Sequence, residues 1–130
     1  MSAAVQPGKT CALLVEDHDA LRAALRGWLS RLLPLTLREA HDMAQALELA
    51  GEARPDFALV NVELPGPNGI ETARELHRRY PGCPIVVMSV QDSEALRLAA
   101  LEAGAEAFVS KRHLTADLLP ILTRLLAKAG

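Results

Sequence analysis

The sequence predicts a doubly wound α/β domain, one parallel sheet with helices on both faces. Three observations carry that expectation. Short apolar runs alternate strictly with longer runs of helical period along the whole chain. Its 130 residues suffice for one hydrophobic core and hardly for two. No internal repeat and no low-complexity tract interrupts the alternation. Helical crossovers between strands force the strands parallel, and right-handed crossovers place helices on both faces of the sheet.

The elements follow in order. Cys11 to Val15 is continuously apolar, as a strand covered on both faces must be. Asp19 has the chemistry of an N-cap, and Leu21, Leu25, Trp28, Leu29 and Leu32 then fall on one helical face that Pro34 brings to an end. Leu35 to Arg38 reads as a short second strand. Asp42 caps a second helix, with Leu47 and Ala50 facing inward, that ends near Gly51. Phe57 to Asn61 is the third strand. Asn68 or Gly69 opens a third helix, which turns Ile70, Ala73, Leu76 and Tyr80 inward and is closed by Pro81-Gly82. Pro84 to Val90 is the fourth strand, and a fourth helix from about Ser93 to Ala103 stops at the C′ glycine Gly104. Ala107 to Ser110 is the fifth strand. Thr115 is the candidate cap of a last helix carrying Leu118, Leu119, Leu122, Leu125 and Leu126. Pro120 would clash with the carbonyl four residues back, so a late start or a bend is expected there.

Composition narrows the function classes. Half of the residues are hydrophobic, 23% are charged and aromatics make up only 3%, so Leu, Ala and Val must fill the core. A net charge of −2 argues against direct nucleic-acid contact, which ordinarily needs a basic face. Cys11 and Cys83 have no CxxC spacing and read as buried thiols in a reducing compartment. Residues 1–9 read as a flexible leader without the apolar stretch of a signal peptide, and no run could span a bilayer, so the expectation is a cytoplasmic domain over residues 10–130.

In a doubly wound sheet the crevice beyond the carboxyl ends of the strands carries the chemistry. There the sequence places Glu16-Asp17, with His18 and Asp19 beyond, then Asn61 followed by Glu63, then Ser89 and Lys111. The paired acids suit a hard divalent cation such as Mg²⁺, and Ser89 and Lys111 suit the oxygens of a phosphoryl group. Taken singly, each is an ordinary cap or loop residue; their convergence at four strand ends favours a site. The acidic "VEDHD" after the first strand is no Gly-rich phosphate loop, which disfavours a nucleotide-binding enzyme. His18, His41, His77 and His113 have no paired metal spacing, and His18 reads as an exposed loop residue.

The stretches "LLVEDHDALR", "DFALVNVELPGPNGIE", "IVVMSVQD" and "ALEAGAEAFVSK" resemble the CheY-like receiver domain of bacterial two-component response regulators. The likeness runs from about Cys11 to Ala127. Its flavour is that of the subfamily with a helix-turn-helix output domain. The resemblance implies a flavodoxin-like (βα)5 fold with strand order 2-1-3-4-5. It implies Mg²⁺ held by Glu16, Asp17 and the backbone carbonyl of Glu63, and a phosphoryl group bound by Ser89 and Lys111. Ser89 and Phe108 would form the conformational switch, the aromatic swinging inward on activation. The implied partners are a histidine kinase or other signalling protein, and a second copy through the fourth helix, fifth strand and fifth helix. That face would carry Arg97, Glu102, Glu106, Arg112 and Arg124.

Three departures alter this picture. Asn61 stands where the family's acceptor Asp belongs, Arg112 follows Lys111 where many members have Pro, and Phe108 replaces the more usual Tyr. An amide offers a neutral oxygen and an NH₂ donor, so Asn61 cannot attack phosphorus as a carboxylate does, and no catalytic residue is expected. Loss of its charge about 4 Å from a divalent ion costs on the order of 1 to a few kcal/mol, so Mg²⁺ binding is expected to be weak. Lys111 is then expected to pair with Asp17 or Glu16 and to donate to the Asn61 oxygen. Two readings stay open. One is a degenerate receiver acting as a phosphorylation-independent interaction module. The other is an Asp-to-Asn variant of a phospho-accepting receiver, separated from a helix-turn-helix output domain. The sequence stops at "LLAKAG", just after the fifth helix, which suits a stand-alone domain or an amino-terminal half equally.

Overall fold

A computed structural model describes residues 10–129 of the chain, with side chains to residue 127, so the expected leader over residues 1–9 lies outside the described residues. The elements are β1 (Thr10–Val15), α1 (Asp19–Leu32), β2 (Leu35–Ala40), α2 (Met43–Glu52), β3 (Phe57–Asn61), α3 (Gly69–Arg79), β4 (Ile85–Ser89), α4 (Glu94–Glu102), β5 (Ala107–Ser110), a 3₁₀ turn over Lys111–His113, and α5 (Leu114–Ala129). All five strands are parallel, in the order β2-β1-β3-β4-β5.

Alternate residues of each strand feed two separate cores. Ala12, Leu14, Phe57, Leu59, Val86 and Met88 pack with Leu25 and Leu29 of α1 and Leu118 and Leu122 of α5. Leu13, Val15, Val60, Ile85 and Val87 pack on the other face with Leu49 of α2, Leu76 of α3 and Ala100 of α4. Period-two alternation with apolar residues at every position is what a sheet covered on both sides demands.

Several local expectations are corrected. The N-cap of α1 is His18, whose Nδ1 accepts from the Leu21 N–H at 3.2 Å, because the Asp19 carboxylate instead takes the Arg22 guanidinium at 2.8 Å. Leu32, placed on the inner face by its spacing, ends the helix half exposed at 50%. β2 runs on to Ala40, since β1 pairs with it through Val15↔Ala40. β4 stops at Ser89 and leaves Val90 exposed. Thr115 caps nothing: Ser110 Oγ accepts from the Arg112 N–H, opens the 3₁₀ turn and leads directly into α5 at Leu114. The late start expected from Pro120 is therefore absent. Both Pro120 and Ala116, whose carbonyl loses its helical donor, lie on the exposed side within reach of water.

Asp42, Asn68 and Ser93 cap α2, α3 and α4, each accepting a first-turn N–H. Gly104 takes φ 106°, a conformation that favours glycine. Arg38, 2% exposed on β2, donates to the Leu49 and Ala53 carbonyls at the carboxyl end of α2, where Leu49 also accepts the Ala53 N–H at 3.2 Å. Cys11 and Cys83 are buried free thiols, and desolvation pushes Cys83 up to about 11, so it stays protonated at neutral pH.

The link from β3 to α3 fixes the crevice. The Gly69 N–H donates to the Val62 carbonyl at 2.8 Å, and a Cβ on Gly69 would lie 1.9 Å from the Asn61 carbonyl oxygen. Only glycine lets the helix start this close to the strand end that carries Asn61.

Candidate functional site

Glu16, Asp17, Asn61, Glu63, Val90 and Lys111 line a crevice of about 320 Å³ at the carboxyl edge of the sheet, and the buried Ser89 adjoins it through Val90. β1 leads into Glu16 and Asp17, β3 ends in Asn61, the following loop supplies Glu63, β4 ends in Ser89, and Lys111 follows β5. Glu16, Asn61 and Ser89 are essentially inaccessible, at 0%, 1% and 0% exposed, so their polar atoms need protein partners.

Asn61 is held by its nitrogen. Nδ2 lies 3.1 Å from Glu16 Oε2, 3.2 Å from Asp17 Oδ1 and 3.0 Å from the Glu63 carbonyl oxygen. Turning the amide over would aim Oδ1 at three acceptors, so the network itself fixes the orientation. Oδ1 is buried without a hydrogen-bonding partner among the described residues. Lys111 Nζ meets Glu16 Oε1 at 2.8 Å, which agrees with half of the expectation for Lys111. The other half is corrected: Lys111 donates no hydrogen bond to the Asn61 oxygen, because the buried Glu16 carboxylate is the stronger attractor. Glu16 Oε2 also accepts the His18 N–H at 3.2 Å, so this buried carboxylate has one ammonium and two N–H donors around it.

Ser89 and Lys111 are bonded to different carboxylates, Glu63 and Glu16. Ser89 Oγ donates to Glu63 Oε2 at 2.6 Å and accepts the Gln91 N–H at 3.0 Å, while Glu63 Oε1 accepts the Val90 N–H at 3.1 Å. Sequence reasoning gave Glu63 only a backbone carbonyl and missed its side chain. The signal was present in an acid two residues past the end of β3, opposite a serine at the end of the neighbouring strand.

Phe108 is 6% exposed, with the Arg97 guanidinium carbon 5.0 Å from its ring centroid and Arg97 Nη1 3.4 Å from its carbonyl oxygen. That geometry permits a cation–π contact over a buried ring. Arg97 also reaches Asp92 at 3.5 Å, so it is not free on a solvated face. Glu106 directly precedes β5 and lines a cleft at the amino end of the strands with Arg54, Asp56 and Leu125 of α5. The Lys111–Arg112 bond is trans.

A divalent cation would draw on the two acidic carboxylates and the Glu63 carbonyl. In this geometry the three oxygens are engaged by the amide hydrogens of Asn61, and no group of three or more His, Cys, Asp or Glu able to hold a metal occurs among the described residues. A cation here would have to displace these amide hydrogens, and turning the amide over would offer its partnerless oxygen as a neutral ligand. Among the described residues no helix is long and apolar enough to cross a membrane.

Comparison with known proteins places these strand ends in context. Residues 12–123 match the family model described as the response regulator receiver domain. The response regulator MprA of Mycobacterium ulcerans is 35% identical over 116 residues, covering 89% of this chain and 50% of that protein. The chain thus spans about half the length of the curated relatives it matches. Among solved structures, a two-component response regulator of the LuxR family from Aurantimonas superposes with TM-score 0.85 at 30% identity, over 93% of this chain and 87% of that one. The receiver domain of the putative response regulator NarL from Mycobacterium tuberculosis superposes with TM-score 0.80 at 28% identity, over 91% and 96% of the two chains.

Proposed function

Because the chain belongs to the response regulator receiver family, we propose that it is a receiver which signals by protein contact, without taking a phosphoryl group at Asn61. Receiver domains are signalling modules that generally bind Mg²⁺ at the acidic site, and response regulators interact with histidine kinases and dimerise. In this chain the observation that carries the finer reading is the Asn61 amide bonded to Glu16, Asp17 and the Glu63 carbonyl. A neutral amide whose nitrogen faces the acids offers no anionic oxygen to phosphorus. One further contact supports the reading: the Ser89 hydroxyl is anchored to the Glu63 carboxylate of the chain itself.

The roles follow residue by residue. Glu16, Asp17 and the Glu63 carbonyl bind Mg²⁺ weakly, competing with the Asn61 amide. Ser89 and Phe108 form the switch, and Lys111 is held by Glu16 instead of a phosphoryl oxygen. The partner, a kinase, another signalling protein or a second copy, docks on α4, β5 and α5, where Leu98 and Leu101 are 50% and 45% exposed. The unit acts in the cytoplasm as a domain over residues 10–130. The retained Glu16, Asp17, Ser89 and Lys111 favour one alternative, that Asp at position 61 would make the same crevice a working phospho-acceptor ahead of an output domain.

One experiment separates the two. After incubation with acetyl phosphate and Mg²⁺, intact-mass spectrometry is expected to show no phosphoryl adduct, and sedimentation the same oligomeric state as before. A hydroxylamine-labile adduct on the wild-type chain refutes contact signalling. An adduct only on Asn61→Asp shows that the rest of the crevice is competent.

A further inference from the structure

The carboxyl end of β4 presents two donors side by side, the Ser89 hydroxyl and the Val90 N–H, and both end on one carboxylate. Glu63 Oε2 takes the hydroxyl at 2.6 Å and Oε1 takes the N–H at 3.1 Å, one oxygen to each donor. Two donors on two oxygens of a single anion is the arrangement by which proteins hold an oxyanion. The contact is not local turn chemistry, since Glu63 arrives from the loop after β3, 26 residues before Ser89. Its backbone carbonyl is tied down as well, accepting Asn61 Nδ2 at 3.0 Å. An ordinary loop glutamate would leave its oxygens to water; here both carboxylate oxygens and the main-chain oxygen are taken.

The remaining cation cannot draw an outside anion in. Lys111 lies 2.8 Å from the fully buried Glu16 carboxylate, so its charge is already matched. An incoming anion would therefore have to compete for the donors that Glu63 fills. A tethered group has the advantage there, since its effective concentration far exceeds that of a free ion.

We infer that Glu63 is an internal ligand of this site. Its carboxylate occupies the oxyanion subsite formed by Ser89 Oγ and the Val90 N–H, holds Ser89 as a phosphate-class oxyanion would, and keeps such ions out. Glu63 thereby fixes the Ser89 hydroxyl at the end of β4, on the strand next to the one that carries Phe108. The inference rests on the reading of this crevice as a receiver site. Its test reads local hydrogen bonding, whereas the mass measurement reads phosphoryl uptake, so either can fail alone.

Amide exchange and phosphate titration by ¹H–¹⁵N NMR supply the test. In the wild-type chain the Val90 amide is expected to exchange about tenfold or more slowly than in Glu63→Ala, because a charge-assisted bond to an otherwise exposed amide is lost. Millimolar inorganic phosphate is expected to shift the Val90 resonance saturably in Glu63→Ala and to leave the wild type unmoved. Equal exchange in both proteins, an equal phosphate response in both, or no response in the variant overturns the inference. Should Glu63→Ala not fold by circular dichroism, the wild-type amide decides alone. Protection of at least about tenfold over a free peptide supports the internal ligand, and exchange at the free-peptide rate overturns it.

Discussion

Asn61 is neutral, yet it is bonded as a small cation would be: its two amide hydrogens serve two carboxylates and a carbonyl. Substituting Asn61→Asp puts a third carboxylate against Glu16 and Asp17 and removes the donor that separates them. The variant is expected to be less stable than the wild type in chelator and to gain stability on adding Mg²⁺. Its Mg²⁺ affinity is expected to rise tenfold or more, since one added charge about 4 Å from a divalent ion contributes on the order of 1 to a few kcal/mol in a solvated site. Calorimetric titration and thermal denaturation with and without Mg²⁺ check both halves. Equal affinity in the two proteins would show that the amide does not limit binding. That Glu16, Asp17, Asn61, Glu63 and Lys111 face the crevice was legible in the sequence, because strand ends in an open parallel sheet point there. Which oxygen each donor chooses was not. Sequence position gave Lys111 and Ser89 an external anion to bind, and each is diverted by a carboxylate of the chain itself, a competition decided by distances that spacing does not encode.

At the scale of elements, the join between β3 and α3 governs where Asn61 sits. The amino end of α3 lies against the last peptide of β3, with no room for a side chain at Gly69. Gly69→Ala is expected to cost about 1–3 kcal/mol or more, because the obstructing atoms are backbone and cannot rotate away. Chemical denaturation measures the loss, and a weakened Asn61–Glu16 contact should appear as a shifted Asn61 side-chain amide resonance. A substitution without effect on either would mean that α3 can slide freely, contrary to the geometry described. Strands and caps were largely readable from sequence, since buried strands are unbroken apolar runs and Asp42, Asn68 and Ser93 stand directly before their helices. The ends of α1 and α5 were not. At α1 the obvious acid, Asp19, is claimed by Arg22, and the cap falls to a histidine. At α5 a serine at the end of β5 starts a tight turn that absorbs the residues before Leu114.

Across the whole molecule, the residues that follow the first and last strands are tied by an ion pair, Lys111 to Glu16. β1 and β5 are not neighbours, since β3 and β4 lie between them, yet Lys111 reaches over the crevice to Glu16, 95 residues away in sequence. The two side chains are 13% and 0% exposed, so the pair is shielded from solvent screening. Its net worth against water is small, because both charges were desolvated to form it, but its rupture is costly, because Glu16 would remain buried with its charge uncompensated. Lys111→Met should therefore destabilise the domain by about 3–5 kcal/mol. Lys111→Met combined with Glu16→Gln should recover much of that, since the glutamine is uncharged and can still accept from Asn61. Urea denaturation of the two single variants and the double variant measures the coupling. A double variant as unstable as the sum of the singles would show that the two residues act independently and that the ends of β1 and β5 are held together by the cores alone.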